Sequence, residues 1–188
     1  MQKCSRHIIC LILAVYPLFG AVSINEKRPY ELVVRESGPA EVILEYSIAD
    51  ISMSAVELTG KTFTEVKIPG ALIYHAVGTP QLPFIRKLIK VPENSHIETN
   101  VIVHSEELID LSAAGYPDPI VPVQPYRRKS DQRREPLAID EAIYQAAEYY
   151  TPATTDVHTP FNLGGIRAVA LDFFPVSYNP VEHNLKVI

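Results

Sequence analysis

The stretch Gly78-Thr79-Pro80-Gln81-Leu82-Pro83-Phe84 constrains this chain more than any other. Gly78 permits positive φ, while each proline fixes its own φ at about −65° and withdraws a backbone donor. Thr79 and Leu82 each precede a proline and are pushed towards β or polyproline II. No helix can run through such a segment. It predicts a stiff, extended lead into a strand over 84–91 that Pro92 closes. Phe174-Pro175-Val176-Ser177-Tyr178-Asn179-Pro180 has the same character near the end of the sequence. Neither stretch carries a recognisable nucleophile, base or metal set, so both read as scaffold.

The segments around this scaffold carry strand signals. Residues 41–48 alternate, with Val42, Leu44, Tyr46 and Ile48 on one face and Glu41, Glu45 and Ser47 on the other. That period of two marks a half-buried strand. Further strands are expected over 30–36, 54–58, 62–68, 71–77, 97–104, 120–123 and 166–174, with one more starting at Asn184. Turn signals recur every eight to twelve residues or so, the spacing of a sandwich or barrel. One short helix is expected over about 137–150, where Ile139, Ala142, Ile143, Ala146, Ala147 and Tyr150 share a face. At 188 residues the chain has room for one such mainly β, antiparallel domain. An apolar strand is an unusual finish for a protein, so the chain reads as the front part of something longer.

The first residues form a different kind of segment. Lys3, Arg6 and His7 precede an apolar core from Ile8 to Phe19. That core falls short of the ~20 residues needed to span a bilayer and fits a secretory signal peptide over 1–23. Small residues place cleavage after Ser23, with Ala21 as the alternative; an uncleaved anchor is the competing reading. Secretion or display at the cell surface follows. Cys4 and Cys10 are the only cysteines and both lie in this leader, so the remaining chain, 24–188, has neither a disulfide framework nor a thiol nucleophile.

Little else points to chemistry. The net charge of −5 disfavours a nucleic-acid partner, which would want a basic face. His75, His96, His104, His158 and His183 show no metal-ligand spacing, and the carboxylates are scattered, so no metal or cofactor is expected. Gly164-Gly165 reads as a turn, since no phosphate-loop pattern surrounds it. No G-x-S-x-G elbow is present.

One stretch stands apart. Residues 112–136 contain five prolines and the basic cluster Arg127, Arg128, Lys129, Arg133 and Arg134, which predicts an exposed loop. Three readings fit it: a solvated charge run, a site open to proteolytic nicking, or an arginine offered to an acidic specificity pocket of a partner enzyme. Guanidinium suits such a pocket because its planar fork binds a carboxylate in bidentate fashion.

Several motifs, in order, resemble the N-terminal pro-region of gingipain-type cysteine peptidases. They are Gly60-Lys61-Thr62-Phe63, Ile68-Pro69-Gly70, Gly78-Thr79-Pro80-Gln81-Leu82-Pro83 and Val91-Pro92. After the loop follow Tyr149-Tyr150-Thr151-Pro152, Gly165-Ile166-Arg167 and Pro175-Val176-Ser177-Tyr178-Asn179-Pro180. The resemblance runs from about Glu57 to Ile188. It implies a β-rich prodomain that keeps a following peptidase domain latent, assists its folding and is cut away. The catalytic His and Cys would belong to that domain, beyond residue 188, and the partner would be that domain in cis. By the same resemblance a basic loop residue, Arg127 or Arg128, would occupy the enzyme's specificity pocket. The rival is a surface β-sandwich module that binds glycan or protein and has no peptidase partner.

Overall fold

The computed structural model describes residues 30–38, 41–74, 76–126 and 136–188. The leader and the cluster Arg127–Arg134 lie outside the described residues, as does His75.

The chain opens with two antiparallel hairpins: β1 (Tyr30–Ser37) with β2 (Val42–Ile48), and β3 (Ser52–Leu58) with β4 (Lys61–Lys67). Thr59 and Gly60, at φ 52° and 78°, make the two-residue turn of the second hairpin. Two successive positive φ values match the right-handed twist of the strands they join. Next come β5 (Leu72–Ile73), β6 (Pro83–Lys90) and β7 (Glu107–Asp110), then the helix α1 (Glu141–Tyr144). The chain finishes through β8 (Thr155–Val157), β9 (Phe161–Leu163), β10 (Ile166–Phe173), β11 (Val176–Asn179) and β12 (Asn184–Val187).

Strands β5, β6, β10 and β8 form one antiparallel sheet in that order, with β9 also pairing β10. β12 lies between β11 and β7 in a smaller antiparallel sheet. The mainly β, antiparallel class expected from alternation is what the chain forms.

The core explains why the proline-clamped segments are scaffold. Leu82 is fully buried with Val66, Ile68, Leu111, Ile120, Val176, Tyr178 and Leu185. Two of these, Val176 and Tyr178, come from the second punctuated stretch, so both clamped segments meet in one apolar cluster. Pro80, Pro83 and Pro122 are also among the fully buried side chains. A second apolar region lies against the five-stranded sheet, where Tyr46 stacks on Phe173 at 4.4 Å and Phe84 on Phe174 at 5.3 Å. Burial pushes the Tyr178 hydroxyl up to about 12, so it stays neutral at any physiological pH.

Four expectations need correction. The helix expected over 137–150 shrinks to Glu141–Tyr144, because tertiary bonds claim its second half. Tyr150 exchanges two backbone bonds with Tyr178, Asn179 Nδ2 donates to the Ala147 carbonyl, and Tyr149 Oη donates to Asn184 Oδ1. Periodicity is a weak claim against such pairing.

Residues 97–104 alternate well but join no strand among the described residues, and Val101, Ile102 and Val103 are exposed. Alternation without a neighbouring ladder does not make a sheet. The strand expected over 71–77 is limited to Leu72–Ile73, since Gly78 turns the chain away at φ 87°. Finally, the exposed segment expected over 112–136 dips into the core at Ile120–Val123, which is buried. Backbone bonds on both sides hold it there.

Candidate functional site

Those bonds build the feature most relevant to function. Residues 118–124 lie between β4 on one side and the Gly78 segment on the other. On the β4 side, Thr64 N–H donates to the Pro119 carbonyl, Val121 N–H to the Thr64 carbonyl, and Thr64 Oγ1 to the Asp118 carbonyl, all within 2.9 Å. On the other side, Gln81 N–H donates to the Val121 carbonyl and Val123 N–H to the Thr79 carbonyl. From above, Tyr144 Oη donates to the Ile120 carbonyl at 2.7 Å. Burial drives that phenol well above its ordinary range, so it remains a donor.

The return stem is fixed to the same place. Gly78 N–H donates to the Val123 carbonyl at 2.8 Å, and the Gly78 carbonyl accepts from Asp140 N–H at 2.9 Å. One residue therefore brackets both chains that lead into and out of the basic cluster. Its φ of 87° and the 3.1 Å that a Cβ would have to Asp140 N explain why this position is glycine. Asp140 then caps α1, its Oδ1 accepting from Ala142 N–H and Ile143 N–H.

One step beyond the bracket, Gln124 spans the stems directly. Ala138 N–H donates to Gln124 Oε1 at 3.0 Å, and Gln124 Nε2 donates to the Ala138 carbonyl at 2.8 Å. Nε2 also reaches the Pro122 carbonyl at 3.0 Å. The carboxamide thus pairs with the N–H and the carbonyl of one residue, as a neighbouring strand would. Tyr126, 94% exposed, is the last described residue before Arg127. Of the candidate residues Arg127, Arg128, Lys129, Arg133 and Arg134, the structure describes the mounting and not the side chains. Sequence reasoning missed Gln124: a glutamine between valine and proline carries no signal.

A second cluster was also invisible in the sequence. Register aligns Arg86, Asp172 and Asp156 on β6, β10 and β8. Arg86 donates through Nε and Nη2 to the two oxygens of Asp172, each at 2.6 Å, and His158 Nε2 lies 2.7 Å from Oδ2. Asp156, His158 and Asp172 bring ligand atoms within 4.8 Å of one another, the only grouping of metal-ligand type among the described residues. The guanidinium already takes both Asp172 oxygens, so a cation would have to displace it. The arrangement ties three strands together electrostatically.

Burial alone would raise the Asp172 carboxyl, but bonds from Arg86 and His158 outweigh it and leave the group below its ordinary range. A depressed folded pKa stabilises above the unfolded value, about 3.9, and that contribution is lost as pH falls through the folded value. Melting temperature should therefore decline below about pH 4. Asp172→Asn should be less stable near neutrality and should show a shallower acid decline. An unchanged acid profile in the variant would contradict this assignment.

Comparisons with known proteins fit this architecture. The family model Propeptide_C25 matches residues 25–188. Lys-gingipain HG66 of Porphyromonas gingivalis is 34% identical over 143 residues, and a second Lys-gingipain of that species is 33% identical over the same length. Each alignment covers 76% of this chain and 8% of the relative, so the chain spans a small fraction of the proteins it matches. A solved structure concerned with zymogenic latency of gingipain K from P. gingivalis superposes with TM-score 0.75 at 27% identity, covering 86% of this chain and 89% of that one. A complex of the P. gingivalis RgpB pro- and mature domains gives TM-score 0.69 at 15% identity, covering 83% and 79%, a likeness of fold.

Proposed function

Because the chain belongs to the Propeptide_C25 family, the propeptides of gingipain-type cysteine peptidases, we propose that it is the non-catalytic, inhibitory pro-region of a secreted endopeptidase precursor. In this reading residues 1–23 direct export, with cleavage after Ser23 or after Ala21. The peptidase domain follows residue 188 and is the partner in cis. Residues 24–188 pack on that domain and lay the basic loop across its cleft. The inhibition is steric and competitive, requires no catalytic residue in the prodomain, and ends when the loop and the junction are cut.

One observation carries the reading: both stems of the basic segment are bonded to a single buried glycine. A loop of solvated charge needs no such mounting. A residue presented to another protein's pocket does, because ordering a loop at the moment of binding subtracts from affinity. Arg127 and Arg128 are the first candidates for that pocket, and the similarity to proteins named Lys-gingipain adds Lys129. Arg133 and Arg134, nearer the return stem, suit processing.

Single alanine substitutions at the five basic residues test the assignment against the mature peptidase of the same precursor. One of Arg127, Arg128 and Lys129 should raise the inhibition constant by about a hundredfold, the loss expected of a buried anchor worth 2–3 kcal/mol or so. Five variants that all inhibit like the parent chain would remove the loop from the mechanism.

A further inference from the structure

Strand β7 begins at Glu107, but the residues before it already have the character of a strand without a neighbour. Residues 97–106 carry no turn or bend, and all but Ile97 are exposed. Among the described residues, none of their backbone N–H or carbonyl groups makes a backbone hydrogen bond. Val101, Ile102 and Val103 stand in the open there, Ile102 at 71% exposure. A row of free donors and acceptors among β-branched residues is a template for a further strand.

Register says where that strand comes from. β12 runs antiparallel to β7, with Leu185 opposite Ile109 and Val187 opposite Glu107. Leu111 N–H donates to the His183 carbonyl at 3.1 Å, so odd-numbered residues on this side point their N–H groups at β12. On the other flank of β12, Ile188 N–H donates to the Pro175 carbonyl at 2.9 Å, so the ladder with β11 holds through Ile188. Glu106 still lies alongside, with Oε2 3.9 Å from Lys186 Nζ. Polypeptide continuing in line beyond Ile188 would therefore pass residues 97–105 in reverse order. Its first, third and fifth residues would face Ser105, Val103 and Val101, on the side of the sheet where Leu185 and Val187 are buried.

We propose that residues 97–105 are the docking edge for the chain that follows residue 188, which extends β12 and makes the junction to the peptidase domain a strand of the prodomain. This rests on the reading above, in which a peptidase domain follows in cis. The occupant is an extended stretch with apolar side chains at its first, third and fifth residues. Proline is excluded from those three places, because each residue there supplies an N–H to the ladder. Pairing within one chain proceeds at high effective concentration, which favours this segment over a strand from another molecule. A cut in the junction then waits for the ladder to open, since proteases act on the open form.

The test uses the whole precursor, with its peptidase inactivated so that the chain stays intact, and the variants Val103→Pro and Ile102→Pro. Neither proline removes a backbone bond made among the described residues. The two differ in direction: the Val103 N–H points towards the extended β12 and the Ile102 N–H points away. Hydrogen exchange is read residue by residue over 97–106, and cleavage of the junction by proteinase K is timed alongside.

In the parent, Val101, Val103 and Ser105 should exchange about a hundredfold more slowly than Asn100, Ile102 and His104. That alternation is measured whether or not a variant folds. Val103→Pro should speed exchange at Val101 and Ser105 about tenfold and hasten cleavage of the junction, whereas Ile102→Pro should do neither. Fast exchange at all six residues would overturn the pairing and leave the inhibitory reading intact, as would equal effects of the two prolines. Protection that grows with protein concentration would overturn it in favour of a second copy of the chain. A precursor with no peptidase domain after residue 188 would instead overturn the inhibitory reading itself, and the pairing with it.

Discussion

Leu82→Ala should lower the unfolding free energy by about 2–5 kcal/mol and the melting temperature by roughly 5–15 °C, as deletion of a fully buried leucine side chain does. Three features of the site favour the upper half of that range. Leu82 has no exposed surface and lies in one cluster with Val66, Ile120, Tyr178 and Leu185. The cluster draws residues from both proline-clamped segments, so neither wall belongs to a mobile loop. Pro80 and Pro83, themselves fully buried, restrict the backbone on either side and prevent it from closing over a cavity. Urea unfolding followed by tyrosine fluorescence would measure the change. A loss below about 1 kcal/mol would mean that the site collapses freely, and the scaffold role of this stretch would be wrong.

Gly78→Val should damage both stability and inhibition. Positive φ strains any residue with a Cβ, and a β-branched one most, at a cost of about 1–3 kcal/mol. Here the new Cβ would also meet Asp140 N at 3.1 Å and the Ile139 carbonyl carbon at 3.4 Å. Both contacts are backbone, so no flexible side chain can yield. The return stem must shift, breaking the bond from Asp140 N–H to the Gly78 carbonyl and disturbing the cap of α1. Inhibition should weaken as well, because Gly78 bonds both Val123 and Asp140. Gly78→Ala, with less φ strain and less bulk, should fall between the parent and the valine variant. A valine variant with parental inhibition would show that the stems do not set the loop.

How much of this was legible in the sequence depends on the range of the interaction involved. The β1–β2 and β3–β4 hairpins are local, and alternation with the Thr59-Gly60 turn locates them closely. Gly78 and its prolines also announce themselves, because backbone restriction belongs to the residue itself. Partners chosen across the fold are a different matter. Nothing in residues 145–150 says that Tyr150 will pair with Tyr178 and end the helix after Tyr144. Nothing near Arg86 says that strand register will place Asp172 opposite it, 86 positions away. Val101 and Val103 alternate like strand residues and find no ladder among the described residues. The basic cluster could be read directly as charge, whereas its mounting on Gly78 and Gln124 required the fold.

Restraint of a peptidase domain by this chain can be read from a single titration. Purified residues 24–188 would be titrated against the mature peptidase domain of the same precursor while hydrolysis of a short Lys- or Arg-containing substrate is followed. Competitive inhibition should approach one-to-one stoichiometry and decay as the basic loop is cut. Hydrolysis that proceeds undiminished at saturating chain would contradict it and favour a surface-binding module instead.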